Sequence, residues 1–128
     1  MDAKELSHQV LRRRKELGLT QDDLASQANI SRNYVSLIER GEARNISINI
    51  LNELARVLGT TPAELSGQAG WTETFISPAL RQFALQENLN FDTVDRLVRL
   101  PMRGKEPQTV EEWRYLYKLV RQYLNETS

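Results

Sequence analysis

The chain has 128 residues, 17 Lys+Arg against 17 Asp+Glu, one histidine and no cysteine. That length holds one ordinary domain or two very small ones. Disulfide scaffolds, thiolate zinc sites, thiol catalysis and multi-histidine metal centres are all excluded. No run of about 18 apolar residues and no signal-like start is present, so the expectation is a soluble, cytoplasmic chain with no membrane span, no cofactor and no metal. Up to Ser66 there are 9 basic and 9 acidic residues, and beyond it 8 and 8. Net charge therefore gives no reason to bind a polyanion, and any such reason must come from where the charges sit.

Apolar residues recur at three- and four-residue steps throughout, which predicts an all-α fold. A first helix covers about Lys4 to Leu17, with Leu6, Val10, Leu11 and Arg14 near one face and Gly18 as its stop. Thr20 caps a short helix to Ala28, with Asp22 and Asp23 in its first turn. Ser31 caps a third, Arg32 to about Arg40. Ser47 caps a fourth, whose stripe of Ile50, Leu51, Leu54, Ala55 and Leu58 ends at Gly59. Thr61-Pro62-Ala63-Glu64 has the form of a capping box with proline at the first helical position, opening a fifth. The expected division is a five-helix domain at 1–67, a linker at 68–74 and a small helical domain at 75–128. Within the last, Ser77-Pro78 and Asn90 start helices, Pro101 ends the second, and Met102 to Gln108 forms a loop. Thr109 then starts a final helix to about Asn125.

Two short helices three residues apart, Gln21–Ala28 and Arg32–Arg40, have helix-turn-helix spacing. Leu24, Ala25, Val35 and Ile38 are placed to pack the pair, so that the second helix turns its N-terminal side chains outward. The major groove accepts such a helix and displays a readable pattern of donors and acceptors. Any αα-hairpin packs in a similar way, so this geometry by itself does not single out DNA binding.

The residues add to it. Thr20-Gln21-Asp22-Asp23-Leu24-Ala25, followed by Ile30-Ser31-Arg32-Asn33-Tyr34-Val35-Ser36-Leu37-Ile38-Glu39-Arg40-Gly41, resembles the Xre/Cro/CI-like helix-turn-helix family over about Leu6 to Leu65. The resemblance implies a lambda-repressor-like fold and a double-stranded DNA operator. It implies a phosphate contact for Gln21, places Arg32, Asn33, Ser36 and Leu37 at or around base edges, and adds Ser31 to the DNA-binding residues. Arg can pair with guanine and Asn with adenine, each worth about 1–3 kcal/mol of discrimination. Tyr34, Arg44 and Asn45 become candidate backbone contacts, with simple packing an equal alternative for Tyr34. Arg14 and Glu39 match a pair that joins the first helix to the recognition helix. Asn29 stands where the family usually has glycine, and asparagine tolerates the left-handed conformation best among the other residues. His8 reads as an ordinary surface or packing residue.

The second half holds eight of the nine aromatic residues. Three amphipathic helices in under 60 residues make a marginal core, and a second copy would cover the excess apolar face. Trp113, Leu116, Tyr117, Val120 and Leu124 on the last helix are the candidate homodimer residues, with packing on their own chain as the alternative. Arg96 to Pro107, with its Arg-Gly-Lys-x-Pro, and the downstream Glu112-Trp113 and Tyr115-Leu116-Tyr117 resemble the C-terminal region of Deinococcus-type radiation- and desiccation-response repressors. That resemblance implies a stress-response repressor inactivated by an ImmA/IrrE-like zinc metallopeptidase, with the cut at Met102–Arg103. Other readings are a mobile-element or lysogeny repressor, and an antitoxin that binds a toxin through its C-terminal half and represses its own operon. No Gly-rich phosphate loop, paired-carboxylate set or nucleophile elbow points to an enzyme.

Overall fold

The computed structural model describes residues 2–67, 77–102 and 104–124. Among these residues eight α-helices follow one another: α1 (Ala3–Glu16), α2 (Gln21–Ala28), α3 (Arg32–Glu39), α4 (Ile48–Leu58), α5 (Pro62–Ser66), α6 (Pro78–Gln86), α7 (Phe91–Val98) and α8 (Val110–Val120). A 3-10 turn, Arg121–Leu124, continues α8. Among the described residues no helix is long and apolar enough to cross a membrane. The expected linker at 68–74, the first two residues of the expected second domain, Arg103, Asn125 and the Leu124 side chain lie outside what is described.

Helix ends follow local chemistry. Each of α3, α4, α6 and α8 opens on a Ser or Thr hydroxyl that accepts the N–H three residues on, which satisfies one of the donors left open at a helix start. Asn90 does the same for α7 through its amide oxygen. A full capping box closes at Thr20 and Asp23, where side chain and backbone exchange bonds of 3.0 Å. At Thr61 only the hydroxyl half of that pattern is seen. Glu64 turns its carboxylate to the Thr60 hydroxyl and to Arg13 at 3.2 Å instead.

One continuous hydrophobic cluster runs from Leu6 on α1 to Trp113 on α8. In the first half Leu6, Val10, Leu24, Val35, Ile38, Leu51, Leu54 and Leu65 are fully buried; in the second, Leu80, Phe83, Phe91, Val94, Leu97 and Trp113 are. Helices of eight residues such as α7 are marginal alone. Burying three large side chains, at about 1.5–3 kcal/mol each, is what holds α7 in place. The halves also meet through their backbones. Ser47 and Asn90, the caps of α4 and α7, form an antiparallel bridge. Ile48 donates to the Leu89 carbonyl at 2.7 Å, and Phe91 donates to the Ile46 carbonyl at 2.9 Å.

Candidate nucleic-acid interface

The α2–α3 pair is set by its buried seam. Leu24, Ala25 and Ala28 face Val35 and Ile38, all nearly inaccessible, and the methyl of Ala25 lets the two helices approach closely. The turn between them needs one left-handed residue, and Asn29 supplies it at φ 59°. Ile30 then closes the turn by donating to the Ala25 carbonyl at 3.0 Å. The following residue, Ser31, caps α3 through its hydroxyl, so Ser31 both starts the recognition helix and lies on its exposed end.

With Val35 and Ile38 inward, periodicity turns Arg32 and Asn33 to solvent, with Ser36 and Leu37 half-buried beside them. Tyr34 is half-buried and packs against the core cluster, and that burial pushes its phenol pKa upward, keeping the hydroxyl neutral. Arg44 and Asn45 are exposed on the segment after α3, where Asn45 takes a left-handed φ of 54°. Arg40 donates to the Ser36 carbonyl at 3.3 Å and pairs with Glu42 at 3.6 Å. Of the expected DNA-facing residues, Ser31, Arg32, Asn33, Arg44 and Asn45 are thus exposed, on α3 and its flanking segments.

Three helices converge on Glu39. Arg14 of α1 grips its carboxylate through both oxygens, Nε to Oε2 at 2.6 Å and Nη2 to Oε1 at 3.0 Å, and its Nη1 donates to the Leu19 carbonyl at 2.8 Å. Both side chains are largely buried, 12% and 5% exposed. The hydrogen bond to Glu39 raises the Arg14 pKa above its already high value, against the opposing effect of burial. Gln21, the first residue of α2, donates its side-chain amide to the same Glu39 oxygen at 3.0 Å. Its amide thus has a partner within the protein, while the phosphate contact implied by the family pattern concerns a DNA-bound state. Ser7 completes the knot by donating to the Glu39 carbonyl. Neither contact had a local signal in the sequence, since 18 and 32 residues separate the partners.

The acids of α2 are accounted for differently. The Thr20 backbone N–H and hydroxyl hold the Asp23 carboxyl below its ordinary pKa. Asp22 stays exposed and lies 3.7 Å from Arg32, a pairing that sequence reasoning missed.

On α8 the expected dimer residues divide. Trp113 is completely buried within its own chain. It cannot line a surface, and this corrects its assignment to a dimer contact. A heptad-like stripe says which residues share a face, not whose core that face meets. Leu116, Tyr117 and Val120 are partly buried against the same cluster, with the Tyr117 ring edge-on to Phe83 at 5.7 Å. What α8 offers to solvent is Tyr115 and Leu119, continued by Tyr123 on the 3-10 turn, at 67%, 53% and 75% exposure. Between this face and the preceding loop lies an open groove of about 510 Å³, lined by Met102, Lys105, Pro107, Glu111, Glu112, Tyr115 and Leu116. Met102 is exposed.

A helix-turn-helix whose second helix presents Arg and Asn to solvent defines a DNA-binding module. The helix-turn-helix family model matches residues 10–65. Over 120 residues the chain is 31% identical to the HTH-type transcriptional regulator DdrOP3 of Deinococcus deserti, covering 88% of this chain and 92% of that protein. Over 54 residues it is 43% identical to the uncharacterized HTH-type transcriptional regulator y4dJ of Sinorhizobium fredii, covering 42% of this chain and 69% of that one. A solved chain described as the SinR protein/SinI protein complex aligns over 87% of this chain and 98% of its own, at 20% identity and a TM-score of 0.46. The chain belongs to the HTH-type transcriptional regulators.

Proposed function

We propose that this regulator is a dimeric, sequence-specific repressor that reads bases with Arg32 and Asn33 and pairs through the last helix. The observation that carries the reading is the division of α3. Glu39 is locked inward by Arg14 and Gln21, while Arg32 and Asn33 stand free of the core. Arg44 and Asn45 hold register on phosphates rather than read sequence. A single module contacts one half-site, and two copies are needed to place two recognition helices one DNA turn apart. Tyr115, Leu119 and Tyr123, at steps of four, supply the apolar surface for that pairing, flanked by Leu116, Tyr117 and Val120.

Regulation by an ImmA/IrrE-like peptidase at Met102–Arg103 fits the same arrangement. The flanking residues Met102, Gly104, Lys105 and Glu106 are exposed. Beyond the cut, Arg103 to Ser128 carries the whole of α8. A cut chain would hold α8 only by the packing of Trp113 and its neighbours, and losing it would open the core beside Phe83 and remove the pairing surface together.

Sedimentation and operator binding test this on three chains: wild type, Leu119→Glu, and a chain ending at Met102. The expected result is a wild-type dimer and two monomers that bind operator at least about tenfold more weakly. A monomeric wild type, or a shortened chain that binds as tightly, overturns it.

A further inference from the structure

The first N–H groups of an α-helix have no partner within their own helix. At α4 and α7 these donors join the two halves of the molecule. Ile48 and Phe91 are the first helical residues after the caps Ser47 and Asn90. Each gives its N–H to the other segment, at 2.7 and 2.9 Å. Ile46, Ile48, Leu89 and Phe91 are buried around the joint, so water does not compete for these bonds. Asn49 adds a side-chain strut, donating to the Leu85 carbonyl at 3.2 Å and to Asn88 Oδ1 at 2.6 Å. Asn88 holds a left-handed φ of 49°, which turns the chain from α6 into the paired segment.

A recognition helix on a flexible tether would follow a displaced half-site. One fastened by two short backbone bonds, an amide strut and a shared core moves only with the rest of the chain. We infer that this joint fixes the half-site spacing the regulator accepts, which makes Ile48, Asn49 and the Leu89–Phe91 segment specificity determinants remote from any base edge. The inference rests on the dimer reading above. Each added base pair moves a half-site by about 3.4 Å and turns it by about 35°, so about five pairs place it on the opposite face of the duplex.

Proline at position 48 isolates the joint. The first turn of a helix tolerates proline, and Ser47 already has the extended φ −73°, ψ 152° that a residue before proline requires. Ile48→Pro therefore removes the N–H and the side chain, while Ile48→Ala removes the side chain alone. The test measures amide exchange on the free protein, then binding to duplexes selected from a random library, with the selected spacing or with five pairs inserted. Expected are slow exchange at Ile48 and Phe91, and at least about a tenfold loss of wild-type binding on insertion. Ile48→Ala should keep that loss, and Ile48→Pro should reduce it to within about threefold. Fast exchange, an insertion-tolerant wild type, or two variants that behave alike would overturn the inference. A wild type that sediments as a monomer on DNA overturns it as well, and slow exchange in that case places the failure in the dimer rather than in the joint.

Discussion

Arg32, at the head of the recognition helix, lies 3.7 Å from Asp22 in the first turn of the preceding helix, and both side chains are about two-thirds exposed or more. The group proposed above to read bases thus rests on an acid of the neighbouring helix. An exposed pair of this kind is worth about 0.2–1 kcal/mol. Asp22→Asn releases Arg32 and removes a negative charge from a surface that must approach phosphates. Operator affinity should rise about two- to fivefold at low salt, the gain shrinking as salt is added. Titration of wild type and variant at two ionic strengths checks this, and unchanged affinity at low salt contradicts it.

The Arg14–Glu39 pair behaves in the opposite way, because it is buried. Glu39→Ala leaves an uncompensated guanidinium among α1, α2 and α3, and should destabilise the fold by about 3 kcal/mol. Replacing both partners with leucine should restore a large part of that, since the penalty comes from the orphaned charge. Denaturant unfolding of the single and double variants gives the comparison. A double variant no more stable than Glu39→Ala would show that the pair acts by its own attraction.

Trp113 fills the far end of the core, and its indole N–H meets no acceptor among the described residues. Trp113→Ala should cost about 3–5 kcal/mol through lost contacts and the cavity left behind. Trp113→Phe keeps most of the apolar volume and deletes a donor with no acceptor among the described residues, so it should cost about 1.5 kcal/mol or less. Thermal melts rank the two, and a Phe variant as unstable as the Ala variant would mean that the N–H is bonded.

Much of this was legible in the sequence because it is local. Ser31, Ser47, Thr61, Ser77, Asn90 and Thr109 each announce a helix through a bond three residues long. Asn29 and Gly59 occupy left-handed ends where side-chain sterics restrict the choice. The joint between Ile46–Ile48 and Leu89–Phe91 left no such mark. It uses backbone groups that every residue but proline carries and closes over some 40 positions. The partition of α8 was hidden for another reason. Trp113, Leu116 and Tyr117 are apolar, and so are Tyr115 and Leu119, so composition alone cannot say which side meets the core. The bond from the Gln21 amide to Glu39 was hidden in the same way as the joint, since its partners stand 18 residues apart.

Acid titration isolates the α2 cap. The Asp23 carboxyl is held below its ordinary value of 3.8 by the Thr20 N–H and hydroxyl. A lowered folded-state pKa stabilises the fold above the ordinary value, and that stabilisation is lost as pH falls through the lowered one. Wild type should therefore exceed Asp23→Asn in melting temperature near pH 6, with the gap closing as pH falls below about 4. A gap that is constant across this range would show that the carboxylate charge plays no part.

The proposed repressor depends on base reading by Arg32 and Asn33 at the start of α3. That dependence is tested most directly by the double variant Arg32→Ala/Asn33→Ala in competition binding, with selected operator against random duplex at one fixed salt concentration. Each lost base contact is worth about 1–3 kcal/mol of discrimination, so preference for the operator should fall by at least about thirtyfold. Neither side chain is in the core, so the melting temperature should stay near that of wild type. A double variant that folds normally and still prefers the operator as strongly as wild type would contradict the account.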